Sequence, residues 1–241
     1  MHRLHFIRRF AISIAFGFII IVSVFMVTGT ILNGEDDKEV PELRMRQIED
    51  LGSPLEVMAE RYMNEIDHQP IAEETMIKVG TDGRVSENST EIVEKQLLVL
   101  PEDLRILFNE SGWKISVTDA DLNQESFEGK YASVSGITRY STKEILISDD
   151  KESLIKAPLH EIGHWIDNMS GYASQAPEFV SAMQELKRSY DREEYGYYPG
   201  DTKEYFADAV AFYFYSPDWL QETNPKIYSY IEDAVSGIIA G

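Results

Sequence analysis

The sequence predicts an α+β fold: a small mixed sheet with helices, preceded by one N-terminal transmembrane helix. Three observations predict it. An uncharged apolar run occupies residues 10–32. Segments rich in β-branched and aromatic residues, separated by turn signals, lie between Trp113 and Asp150. From Ser153 to the C-terminus the apolar residues return to helical spacing.

The elements follow in chain order. The run "FAISIAFGFIIIVSVFMVTGTIL" is long enough to cross a bilayer. Arg3, Arg8 and Arg9 precede it and "GEDDKE" follows, so the positive-inside rule places the N-terminus in the cytoplasm and the rest of the chain outside. Its length exceeds an ordinary signal-peptide core and no A-x-A site follows, which favours a retained membrane anchor; Val27 and Gly29 leave a long cleaved signal as the alternative. Residues 34–88 are acidic and weakly patterned, an extracellular stalk, a pro-segment or a subdomain packed on the main one. Within them "SPLEVMAERYMNEIDHQP" reads as a helix, with Ser53 as cap, Pro54 in the first helical position, Glu56 closing a capping box, and Leu55, Met58, Tyr62 and Ile66 in a stripe.

The denser domain spans residues 89–241. "STEIVEKQLLVLP" and "PEDLRILFNESG" predict helices, whereas "WKISVTD", "YASVSGITRY" and "KEILISDD" predict strands. Helices then run to the end of the chain.

Composition removes several functions. The chain of 241 residues carries 22 Lys and Arg against 42 Asp and Glu, a formal net charge of −20. So acidic a surface argues against nucleic acid as a partner. There is no cysteine, which excludes disulfides, thiolate metal sites and a cysteine nucleophile. A bound metal must therefore be held by His, Asp or Glu.

After the last predicted strand comes "LHEIGHWID". On a helix, His160 and His164 share one face and offer two imidazoles to one ion, with Glu161 beside the open coordination position. This is the HExxH arrangement of zinc-dependent peptidases; the competing reading is a chance match on a buried helix whose histidines are satisfied by hydrogen bonds. Further on, "KEYFADAVAFYFY" places Glu204 and Asp208 one turn apart on a helix otherwise apolar enough to be buried. Buried carboxylates need a positive partner. Glu204 is the candidate third ligand, and Asp208 the acceptor that fixes the tautomer of a ligand histidine. The alternative is a pair of ordinary buried salt bridges.

Together "LHEIGHWID", "EYFADAVAFYFY" and "NPKIYSYIEDAV" resemble the zinc metallopeptidases related to the catalytic domain of anthrax lethal factor and the secreted Pro-Pro endopeptidases, over residues 90–241. The resemblance implies a zincin-like fold with one Zn2+ per chain on His160, His164 and Glu204, Glu161 as general base, and Tyr197, seven residues before Glu204, near the oxyanion. "EYGYYPGDTKE" also offers Tyr195 and Tyr198 for that role, and Asp208 stands where the family often has Glu. It further implies that "ASVSGITRY" is an edge strand bordering the cleft and able to pair with an extended peptide. The expected function is an extracytoplasmic zinc endopeptidase acting on extended, proline-containing protein segments. The alternative is a non-catalytic zinc-binding interaction module at the cell surface. Oligomeric state is not legible.

Overall fold

The computed structural model describes residues 59–63, 75–130, 134–189 and 201–241. The apolar run 10–32 and the three tyrosines Tyr195, Tyr197 and Tyr198 lie outside the described residues. Among the described residues no helix is long and apolar enough to cross a membrane. The predicted helix at 53–70 is described only at residues 59–63, which are helical.

Four strands form one sheet: β1 (Val79–Asp82), β2 (Lys114–Thr118), β3 (Gly136–Arg139) and β4 (Glu144–Ser148). Their order is β1-β2-β4-β3, with β1, β2 and β4 parallel and β3 antiparallel to β4. Between β1 and β2 run α1 (Glu87–Leu97) and α2 (Glu102–Glu110), and α3 (Leu122–Phe127) follows β2. After β4 come α4 (Lys151–Met169), a short 3-10 turn (Ala173–Gln175), α5 (Pro177–Ser189), α6 (Thr202–Tyr215), α7 (Pro217–Thr223) and α8 (Pro225–Ala240). This is an α+β fold with a small mixed sheet, as the sequence predicts.

Two elements carried too little signal to be predicted. β1 falls inside the acidic segment 34–88; its four residues show one half-buried and three exposed positions, so no alternation marks it. α3 has six residues and buries only Leu122, and its one cue is Asp121, whose side chain accepts from Gln124 N at 2.9 Å.

Alternation fixes which sheet face does what. Ile115, Val117, Ile145 and Ile147 are almost fully buried and lie opposite one another in register. Cross-strand partners share a face. Gly136 pairs with Ile147 and Thr138 with Ile145, so both point the same way as that apolar row, whereas Arg139 points oppositely, towards Glu125 and Ser126 next to it on α3. The face bearing Gly136 and Thr138 is the one covered by α4.

The long helix α4 starts where Asp150 caps it, taking Ser153 N at 2.9 Å and Ser153 Oγ at 2.6 Å. It continues through Pro158, which lacks an N–H and leaves the carbonyl of Leu154 without its helical donor. The fully buried Gln96 on α1 supplies the replacement: its Nε2 donates to Leu154 O, while its Oε1 accepts from Tyr215 OH at the end of α6. One amide thus satisfies a proline defect and ties three helices together. Edge-to-face packing of Phe108 on Trp165 and of Phe179 on Phe206 fills the core on either side of α4 and α6.

Candidate metal centre

α4 and α6 pack against one another more closely than ordinary side chains allow. A Cβ built on Gly163 would lie 2.5 Å from Ala207 Cα and 2.8 Å from Ala207 O. Gly163 stands between His160 and His164 in sequence, and Ala207 between Glu204 and Asp208. The absence of one methyl group therefore sets the spacing between the histidine pair and the carboxylate pair. A glycine in mid-helix costs about 1 kcal/mol relative to alanine, and here close approach is what it provides.

The result is a three-residue cluster. His160 Nε2 lies 3.1 Å from Glu204 Oε2, and His164 Nε2 lies 3.4 Å from Glu204 Oε1. Ligand atoms of the three residues all fall within 4.8 Å of one another. The two imidazoles are nearly perpendicular, with ring centroids 4.9 Å apart. Behind them, Asp208 Oδ1 sits 2.8 Å from His160 Nδ1. That contact turns Nε2 towards the cluster, the orientation a ligand histidine requires.

The charges are matched to a cation. Burial opposes protonation of His160, but the hydrogen bonds and negative charges of Asp208 and Glu204 outweigh it and hold the pKa well above the ordinary imidazole value. For Glu204, the partial loss of solvent beside the histidines acts to raise the pKa, while the hydrogen bonds and charges of His160 and His164 draw it far below the usual carboxylate range. A proton on imidazole thus stands where positive charge is wanted. Tetrahedral ligands about 2.1 Å from a zinc ion sit roughly 3.4 Å apart, close to the two His–Glu separations, so the donor set fits a divalent ion of this kind.

One expectation is corrected here. The apolar run around Glu204 and Asp208 predicts two buried carboxylates, yet the Glu204 side chain is 55% exposed and Asp208 24% exposed. α6 is buried along Phe206, Ala207, Ala209, Val210, Ala211 and Phe212. Glu204, in the first turn after the cap Asp201, faces out of that core, which keeps a ligand reachable.

Glu161 is buried, and its Oε2 accepts from Thr138 Oγ1 at 2.6 Å. A Cβ on Gly136 would lie 2.7 Å from Glu161 Oε1. β3 is thus shaped around this carboxylate, with a donor at one position and no side chain two residues earlier. Among the described residues β3 is also the terminal strand of the sheet, the position that the resemblance implies for "ASVSGITRY". Sequence reasoning pointed to the strand near Gly136 as shaping the cleft but missed its approach to Glu161, and missed Thr138 and Gly163; the legible signal was glycine inside two regular elements, which marks close backbone approach. Tyr197 lies outside the described residues.

Fold and cluster together define an α+β protein with a His-His-Glu cluster that could hold a metal ion. The model of the family "Anthrax toxin lethal factor, N- and C-terminal domain" matches residues 66–234, and the chain belongs to that family. No curated protein matches the chain. Among solved structures, that of the Pro-Pro endopeptidase PPEP-2 from Paenibacillus alvei is similar in fold, with a TM-score of 0.51 and 18% identity over 71% of this chain and 98% of that one.

Proposed function

We propose that the protein is a zinc-dependent endopeptidase that cleaves extended polypeptide segments, with His160, His164 and Glu204 as the metal ligands. The observation that carries this reading is the placement of Glu161, a buried carboxylate beside a His-His-Glu cluster and against the terminal strand of the sheet. A purely structural metal site has no use for such a base, which argues against a non-catalytic interaction module.

A zinc ion bound there supplies Lewis-acid activation of water and polarisation of the scissile carbonyl. Glu161 takes the proton of the attacking water and passes it to the leaving amine. Asp208 keeps His160 oriented by accepting at Nδ1. Thr138 holds the Glu161 carboxylate towards β3, along which an extended substrate adds as a further strand. Tyr197 stabilises the oxyanion, a role that Tyr195 or Tyr198 fills if the loop is registered differently.

The substrate reading is an extended, proline-containing segment of an exported or surface protein, supported by the family and by the name of the similar Pro-Pro endopeptidase. The location is extracytoplasmic, with residues 1–33 as a retained anchor or a long cleaved signal and the membrane met through the N-terminal helix; of the acidic segment 34–88, only the part outside the described fold is read as a stalk or pro-segment, because Ala59, Ile77 and β1 pack into the domain. Protease shaving of intact cells tests the orientation: loss of the domain is expected, and a fully protected domain contradicts it. A peptide library digested by the zinc-loaded full-length chain and read by mass spectrometry tests the activity. Cleavage enriched in proline within two positions of the scissile bond is expected; no cleavage of any peptide overturns the proposal.

A further inference from the structure

Beside the candidate metal centre lies a cation that the mechanism leaves unused. Lys203 immediately precedes Glu204, and its Nζ sits 5.5 Å from the ring centroid of Tyr140 and 5.1 Å from that of Tyr172. Among the described residues no carboxylate pairs with it. The neighbouring acids are otherwise engaged: Glu161 with Thr138, Glu204 with both histidines, Asp208 with His160. Aromatic faces attract an ammonium group without consuming its three donors, which stay available to an anion.

Both aromatic walls are placed deliberately. Tyr140 directly follows β3, and its ring is backed by Trp113 at 6.1 Å. Tyr172 adopts a left-handed backbone at φ 65 and ψ 54, unusual for an aromatic residue, and the residue is 40% exposed. Such a conformation persists only where its surroundings over-determine it. They do so here. Tyr172 N–H donates to Asp167 O at 2.7 Å, Asn168 Nδ2 donates to Tyr172 OH at 3.1 Å, and the fully buried Asp167 carboxylate clamps the next turn through Ser174 N at 2.7 Å and Ser174 Oγ at 2.8 Å. A strained, exposed tyrosine held this firmly next to Lys203 and 6.4 Å from the ring of Tyr140 marks a built recognition surface rather than filler.

We infer that Lys203, poised over Tyr140 and Tyr172 at the end of β3, is a carboxylate-binding subsite that selects an acidic residue within three positions of the scissile bond. The inference rests on the peptidase reading for what the carboxylate belongs to. An extended peptide paired with β3 passes Tyr140 as it leaves the strand, so the subsite meets one side chain at a fixed distance from the Glu161 carboxylate. With a net charge of −20 the chain repels acidic peptides at long range. Lys203 therefore produces a preference at one position and not for acidic peptides in general.

The test uses the zinc-loaded full-length chain in detergent and peptides identical except for Glu or Gln at each position within three of the cleavage point. Binding is measured by fluorescence anisotropy on the Glu161→Gln chain, and cleavage on the unaltered chain. At one position the Glu peptide is expected to bind about threefold to tenfold tighter than its Gln partner, the scale of a partly exposed charged contact. Lys203→Arg should keep that preference, Lys203→Met erase it and Lys203→Glu invert it in favour of the Gln peptide. Peptides ending in a free carboxylate or an amide, compared in parallel, separate a side-chain acid from a chain terminus as the bound group. Absence of any Glu-over-Gln preference, or a preference unchanged in Lys203→Glu, overturns the subsite. A Lys203-dependent binding preference without cleavage keeps the subsite and overturns the peptidase reading; cleavage without the preference does the reverse.

Discussion

Thr138 Oγ1 lies 2.6 Å from Glu161 Oε2, so the residue proposed as base is fixed by the strand proposed to receive the substrate. Charge-assisted O–H···O contacts of this length are strong and directional. Thr138→Val keeps the shape and removes the donor. It should lower kcat about tenfold while zinc content stays at one per chain, and Thr138→Ser should restore most of the rate. Unchanged kcat in the valine variant would mean that Glu161 is oriented by something else.

Gly163 and Ala207 set the distance between α4 and α6. Gly163→Ala places a methyl group against backbone atoms of Ala207, which cannot rotate away. Helix propensity alone predicts that alanine stabilises a mid-helix position by about 1 kcal/mol. Steric overlap should reverse the sign, lowering thermal stability and weakening zinc retention together as the histidines move from Glu204. A variant more stable than the parent, with full zinc, would refute the close-approach argument.

Gln96 tests the role given to Pro158. Gln96→Leu removes the donor to Leu154 O and the acceptor of Tyr215 OH in one step. Leaving buried groups unpaired costs about 1–3 kcal/mol, so chemical denaturation should show a loss of that size. In the same background, Pro158→Ala returns a helical donor to Leu154 O and should recover part of it. Additive effects of the two changes would show that they are not coupled through that carbonyl.

The pH dependence of the metal-free protein follows from two opposite shifts. His160 has a raised pKa, so its contribution to stability is complete below the ordinary value of 6.5 and is lost as pH rises through the folded-state value. Glu204 has a lowered pKa, so its contribution is present above the ordinary 4.5 and is lost as pH falls through its folded-state value. Metal-free melting temperature should therefore be highest between these two ordinary values and fall on either side. In Asp208→Asn the His160 partner is neutral, which should flatten the alkaline limb and weaken zinc binding about 10- to 100-fold. An alkaline limb identical to the parent would show that Asp208 does not support charge on His160.

Much of this was legible in the sequence because it is carried by short-range pattern. His160, Glu161 and His164 follow from one motif on one helix, and the strands β2 and β4 from runs rich in β-branched residues between turn signals. Glu204 was legible as a carboxylate in an apolar helix, but its exposure was not, because a first-turn position can face outward even when the helix behind it is buried. Thr138 and Lys203 were not legible: each acts across a distance in sequence, through strand register in one case and through ring contacts to Tyr140 and Tyr172 in the other. β1 was hidden because a short, largely exposed strand joined in parallel has no local hairpin partner to announce it.

The central claim is that Glu204 holds the metal and Glu161 does the proton transfer. The direct measurement is zinc per chain, by elemental analysis, in Glu204→Gln and Glu161→Gln prepared side by side, with peptide turnover recorded on the same samples. The account predicts that Glu161→Gln keeps about one zinc and loses turnover by several orders of magnitude, whereas Glu204→Gln loses most of its zinc because the anionic ligand is gone. Equal zinc in the two variants, or turnover surviving in Glu161→Gln, would contradict it.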